Sequence, residues 1–192
     1  SGPGLLVTFD VSANAAFVGI DSLRVETTGS DITYAIGVDN IVAENFRDAT
    51  LADSPMLIFT TNSADITGDD VASDGEGGSV VITDIDIDIF NISDTNGTPA
   101  GTLSWEANSF LSSSDSAFSA LTYNDGASGG TKGMAIKSAD GSEFQLKQFL
   151  YYNWGETESA TISVVGYRDG SQVASTTFEG YYADLRIQTI EL

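Results

Sequence analysis

The chain has 192 residues, 28 acidic and 7 basic side chains, a formal net charge of −21, and neither histidine nor cysteine. The missing histidine and cysteine exclude Ser-His-Asp and Cys-His catalysis, His-ligated zinc, iron and copper, iron–sulfur clusters, disulfides and thiol nucleophiles. A pI near 4.1 makes DNA, RNA and anionic membranes poor partners, because phosphate recognition needs clustered Lys and Arg; the small partner that suits such a chain is a cation.

A hydrophobic fraction of 41% with ten Phe, seven Tyr and two Trp is enough to build a core. Asp outnumbers Glu by 19 to 9, a balance that suits turns and strands better than helices. Ser-Gly-Pro-Gly at 1–4 reads as a linker or a cloning scar. From 5 to 192 the chain reads as a single domain, since no stretch rich in Pro, Gly and Ser divides it. No apolar run approaches 18 residues, so no membrane span is expected. No basic segment followed by an apolar stretch opens the chain, so no signal peptide is visible.

Taken in chain order, the apolar pattern has a period of two almost throughout. A first strand is expected at 5–11, then alternating strands at 23–27 and 32–38, and a short apolar run at 56–60. Residues 83–90 read Thr-Asp-Ile-Asp-Ile-Asp-Ile-Phe, which sets Ile85, Ile87 and Ile89 on one face and Asp84, Asp86 and Asp88 on the other. Strands follow at 101–105, 133–137, 143–152, 162–165, 172–178 and 183–191, and 106–120 holds a short helix at best. Turn signals fall between them at Asn96-Gly97, Asp125-Gly126, Gly129-Gly130, Asp140-Gly141 and Asp169-Gly170. The last is the clearest hairpin signal, because apolar alternation flanks it on both sides. Ten or more short strands with polar turns predict an all-β, antiparallel β-sandwich of jelly-roll type.

Charge is unevenly spread. Between Arg47 and Lys132 lie twelve Asp and two Glu with no basic residue. Bare carboxylates in such a run repel one another; they form either a solvated acidic surface or a set of sites for divalent cations. Calcium takes six to eight oxygens from carboxylates, carbonyls and water, typically in loops rich in Asp, Asn and Gly. The densest candidate is Asp65, Asp69, Asp70, Asp74 and Glu76, which lacks the order of an EF-hand loop. Asp84, Asp86 and Asp88 form a second candidate; same-face neighbours on a strand stand about 6.6–7 Å apart, too far to share one ion unaided. Asp94 and Asn96, beside Gly97, resemble half of a calcium loop, although Asx-Gly turns have the same signature. Magnesium would replace calcium poorly, because it demands a tighter octahedral shell.

Catalysis has little support. Two carboxylates flanking a cleft suffice for a glycosidase, but nothing in the order or spacing selects a pair. Gly75-Glu76-Gly77-Gly78 lacks the Lys and the helix of a phosphate loop. Aromatics carry the other hint: Tyr151, Tyr152, Asn153 and Trp154 close one strand, and Tyr181 and Tyr182 open another. Rings beside polar amides at strand ends either stack on sugars and peptide side chains or pack at the rim of the core.

Four stretches carry a resemblance: Phe17–Val25, Ile36–Ile41, Phe144–Leu146 and Val165–Ser175 with its Gly-Tyr-Arg-Asp-Gly. They resemble the jelly-roll, calcium-dependent peptide- or sugar-binding modules of very large secreted bacterial adhesins, over about half of the chain. In that family the Gly-Tyr-x-Asp-Gly hairpin precedes the Ile-Asp-x-Leu-Arg and Asp-Asn-Ile strands; here it follows them. The resemblance therefore implies a permuted module, natural or engineered, or one cut out of phase from a tandem array. Terminal strands would then lie close together. It further implies Asp39 and Asn40 at a strand end, as a calcium ligand or as an Asx cap. The function so implied is a calcium-dependent, non-catalytic extracellular binding module. It would be displayed on a bacterial cell surface as a monomeric part of a larger chain, recognising a glycan or short peptide on a host or neighbouring cell. The rivals are a structural spacer of a surface stalk, disfavoured by the lack of an internal repeat, and a polysaccharide-degrading enzyme.

Overall fold

The computed structural model describes residues 6–11, 13–27, 35–45, 56–57, 71–73, 75, 81, 85–99, 103–106, 119–122, 133–154, 160–180 and 188–191. Among them are thirteen strands: β1 (Leu6–Asp10), β2 (Ser22–Thr27), β3 (Ala35–Asn45), β4 (Met56–Leu57), β5 (Val71–Ser73), β6 (Ile87–Ile92), β7 (Leu103–Glu106), β8 (Ser119–Thr122), β9 (Gly133–Ser138), β10 (Phe144–Trp154), β11 (Ala160–Arg168), β12 (Ser171–Gly180) and β13 (Gln188–Glu191). One turn of 3-10 helix, Ala15–Phe17, is capped by the Asn14 side chain, which accepts the Ala16 amide at 3.0 Å.

The strands make two sheets. Sheet A has the order β13-β1-β10-β3-β8-β7, with β4 also paired to β3; sheet B has the order β12-β11-β2-β9-β6-β5. The chain is an all-β sandwich, as its alternation predicts. One core joins the sheets: Phe9, Ile41, Phe144, Leu146 and Phe149 from sheet A cluster with Leu23, Val25, Ile89, Ile136, Ile162 and Phe178 from sheet B. Phe9 is the hinge of that contact, its ring 4.9 Å from Phe149 in its own sheet and 5.3 Å from Phe178 in the facing one. Tilted aromatic pairs at such separations add to the gain from burial alone.

The 85–89 pattern folds as read. Ile85, Ile87 and Ile89 are buried, while Asp86 is exposed and Asp88 half-buried. Asp169 and Gly170 make a two-residue turn between β11 and β12 with φ of 50° and 72°. Both central residues of that turn need positive φ, which Asp tolerates and Gly adopts without strain.

Four differences from the sequence reading stand out. Glu106 ends a strand and Ser119 and Ala120 begin one, so the short helix expected at 106–120 does not occupy either end of that segment; cross-strand pairing of Trp105 with Ala120 decides this. A strand, β5, forms inside the expected 65–76 loop and pairs with β6 through Val71↔Phe90, Ala72↔Ile89 and Ser73↔Asp88. Asp39 and Asn40 lie inside the eleven-residue β3 and not at a strand end. Asp39 pairs with Leu150 beside a register shift, because β10 carries pairing past that point to Trp154↔Ala35. Last, the terminal strands are neighbours, as a permuted module requires, but they run parallel, with Val7 beside Gln188 and Asp10 beside Glu191. Parallel neighbours are joined by a crossover and not by a tight turn.

Phe9→Ala removes the ring that bridges both sheets, and the expected cost is about 3–5 kcal/mol. Urea unfolding should show a lower midpoint with an unchanged slope.

Candidate functional site

In β2 the core residues Leu23 and Val25 alternate with Arg24, which therefore points to the outer face of sheet B. The same alternation brings Tyr167 of β11, Ala135 and Lys137 of β9, and Asp88 and Phe90 of β6 to that face. Register aligns them in two rows across the sheet. One runs Tyr167, Ser22, Lys137, Asp88, Ser73; the other runs Val165, Arg24, Ala135, Phe90, Val71.

Arg24 organises this face. Its guanidinium carbon stands 3.9 Å over the Tyr167 ring centroid, a cation–π contact. Its Nη1 donates to the Thr95 carbonyl, and its Nη2 to the Asn96 carbonyl at 2.9 Å. The guanidinium also packs against Gly97. A Cβ there would come within 2.6 Å of Arg24 Nε, and φ is 79°, so glycine is required on both counts. The 93–98 loop is thereby pinned over the sheet, after which Ile92 and Pro99 form a bridge.

Asp94 holds the loop from within. Its Oδ1 accepts the Asn96 and Thr98 amides at 2.9 and 3.1 Å, and its Oδ2 accepts the Thr98 hydroxyl at 2.9 Å. The Thr98 hydrogen bonds, backbone first, hold the Asp94 carboxyl below the usual carboxylate range. Asp140 does the same at the β9–β10 turn, accepting from Ser138 Oγ, Ser142 N and Ser142 Oγ, and its pKa is lowered by the Ser138 bond first.

Between these parts lies a cleft of about 340 Å³. Its floor is Arg24, Phe90, Ala135, Lys137 and Tyr167, and it is bordered by three turns at Asn96-Gly97, Gly141 and Gly170. Asp21 completes the rim, its Oδ2 accepting the Asp169 amide at 2.7 Å. A concave site of this size, with rings and a few converging polar groups, is the form small-ligand sites take.

Of the residues singled out from sequence, Asn96 borders the cleft. Asp65, Asp69, Asp70, Asp74, Glu76, Asp84, Tyr181 and Tyr182 lie outside the described residues. Asp86 is exposed, and its carbonyl accepts the Ala139 amide at 2.8 Å. Asp88 Oδ1 accepts the Ser73 hydroxyl at 2.7 Å, and Lys137 stands directly across the strand pair. Asp94 and Asn96 build an Asx turn, and the Asn96 carbonyl accepts from the Arg24 guanidinium. Tyr151, Tyr152, Asn153 and Trp154 occupy the end of β10 in sheet A, with β3 on one side and β1 beside Tyr151 and Tyr152 on the other. They are thus in the other sheet from the cleft. Among the described residues no group of three acidic side chains gathers as a metal ion needs.

Sequence reasoning did not single out Arg24, Phe90, Lys137 and Tyr167, which line the cleft. A signal for two of them was present: Arg24 and Tyr167 sit in two of the stretches that carry the adhesin resemblance. Those stretches interlock, since Arg168 donates to the Gly19 carbonyl and, at 2.8 Å, to the Val18 carbonyl, while Ile20 and Phe144 exchange backbone bonds at 2.9 and 2.6 Å. No family model, curated protein or solved structure matches the chain.

Because hydrogen bonds hold both turn carboxyls below the usual carboxylate range in the folded state, their contribution to stability is full above the unfolded-state pKa. It is lost as pH falls through the lower folded pKa. Thermal midpoints measured from pH 5 down to pH 2 should fall along this acid limb, and Asp94→Asn with Asp140→Asn should flatten it.

Proposed function

We propose that this chain is a calcium-dependent, non-catalytic extracellular binding module of a bacterial surface adhesin, recognising a glycan or a short peptide. The observation that carries the reading is the outer cleft of sheet B. Rigid central strands present two aromatic rings and a lysine, and three turns enclose them. Rigid strands hold contact groups at fixed spacing while turns vary the rim, which suits recognition.

The jelly-roll form of the sandwich belongs to the same proposal. Remote strands pair in a nested order, β1 with β10, β10 with β3 and β3 with β8 in one sheet, against β2 with β9 and β9 with β6 in the other. The adjacency of β1 and β13 fits the permuted reading of the motifs, while their parallel course would require a crossover where the family's chain runs on. Extracellular display, a monomeric module within a longer chain, and partners on a host or neighbouring cell come with the resemblance. Calcium rests on the carboxylate run from 48 to 131, chiefly Asp65, Asp69, Asp70, Asp74 and Glu76. An ion bound only by the folded state stabilises by RT ln(1 + [L]/Kd), about 2.7 kcal/mol at a hundredfold excess over Kd.

Two measurements test the reading. A glycan and peptide array probed in calcium should give discrete hits that disappear in chelator; an empty array in calcium, or breakdown of a polysaccharide by the domain, would refute it. Thermal unfolding should show a midpoint raised far more by calcium than by magnesium or sodium at matched ionic strength. Equal shifts from all three would reduce the ion effect to screening.

A further inference from the structure

The chemistry of the cleft narrows its ligand. The Lys137 side chain is exposed and makes no hydrogen bond or ion pair with any described residue, although it stands between Ser22 and Asp88 in register. Arg24 adds a second positive charge, held in place by the Tyr167 ring, by its contact with Gly97 and by the Thr95 and Asn96 carbonyls. Two of the seven basic residues of a −21 chain thus converge on one cleft. The molecule as a whole repels anions, but that field is screened beyond about 8 Å at physiological salt, so the groups lining the cleft decide what binds there.

Those groups are arranged in kind. Lys137 offers three donors and no acceptor, and Asp21 offers acceptors only. The Phe90 and Tyr167 rings line the same cleft and supply apolar surface. The complementary molecule carries an anionic group for Lys137, hydroxyl donors for Asp21 and an apolar ring face for the aromatics. A cleft of about 340 Å³ bordered by three turns admits one or two rings and not an extended peptide strand. We infer that the cleft takes the uronic-acid end of an acidic glycan, with Lys137 pairing its carboxylate. This rests on the binding-module reading above and specifies its ligand.

The decisive comparison is methyl β-glucuronide against methyl β-glucoside, which differ only in the carboxylate. Both are titrated by two-dimensional NMR, with the free dipeptide Gly-Tyr as a third arm. The expected result is binding of the glucuronide at least tenfold tighter than the glucoside and the dipeptide, with shifts centred on Lys137 and Tyr167 resonances. Lys137→Ala, an exposed position, should erase that preference, and Lys137→Arg should retain most of it. Equal affinity for the two sugars, no glucuronide binding, an unchanged preference in Lys137→Ala, or tighter binding of the dipeptide would each overturn the inference. A neutral glycan from the array whose binding is lost in Tyr167→Ala would also overturn it, while leaving the binding-module reading intact.

Discussion

Residues 18–21 form no strand of their own, and the architecture depends on where their polar backbone groups go. Buried N–H and C=O groups must be paired, and here they are shared among several elements. Ile20 exchanges bonds with Phe144 at the start of β10 in sheet A. The Asp21 amide donates to the Tyr167 carbonyl of β11, and its carbonyl accepts the Ser138 amide of β9, both in sheet B. The Val18 and Gly19 carbonyls are taken by Arg168. One short crossing therefore stitches both sheets and sets the register of β2, from which Arg24 and the floor of the cleft follow.

From that crossing outward, polar and apolar order reinforce each other. The inner face of β2 supplies Leu23 and Val25 to the shared core, so the strand cannot slip by one residue without burying Arg24 and exposing both. With register held, the guanidinium has one place to go. It is stacked on Tyr167, pressed on Gly97 and bonded to two carbonyls of the 93–98 loop. Asp94 satisfies the same loop from inside. Deep core and outer cleft are two faces of a single register.

The structure also changes the meaning of the acidic run. Along the chain, 84 residues from 48 to 131 carry fourteen carboxylates and no basic group. In space, basic residues from outside the run fold onto it: Lys137 lies opposite Asp88, and Arg24 caps the 93–98 loop. Ser73, within the run, gives its hydroxyl to Asp88. Strand pairing thus brings basic side chains beside the run, which a count along the chain does not register. Asp65, Asp69, Asp70, Asp74 and Glu76 lie in the part of the run where no basic residue is near in sequence.

What the sequence alone determined is what depends on neighbours within a few residues. Alternation made the chain all-β, divided Ile85, Ile87 and Ile89 from Asp86 and Asp88, and placed the Asp169-Gly170 hairpin, because strand geometry and positive φ are local properties. Tertiary structure decided everything that depends on which strand lies beside which. Ser119–Thr122 became a strand through pairing with β7 and β3, and Val71–Ser73 through pairing with β6. Asp39 and Asn40 went to mid-strand because β10 pairs past them, and the terminal strands came together in parallel. The cleft belongs to this second class. Arg24, Phe90, Lys137 and Tyr167 come from four strands spread over more than 140 residues, and only the order β11-β2-β9-β6 sets them side by side.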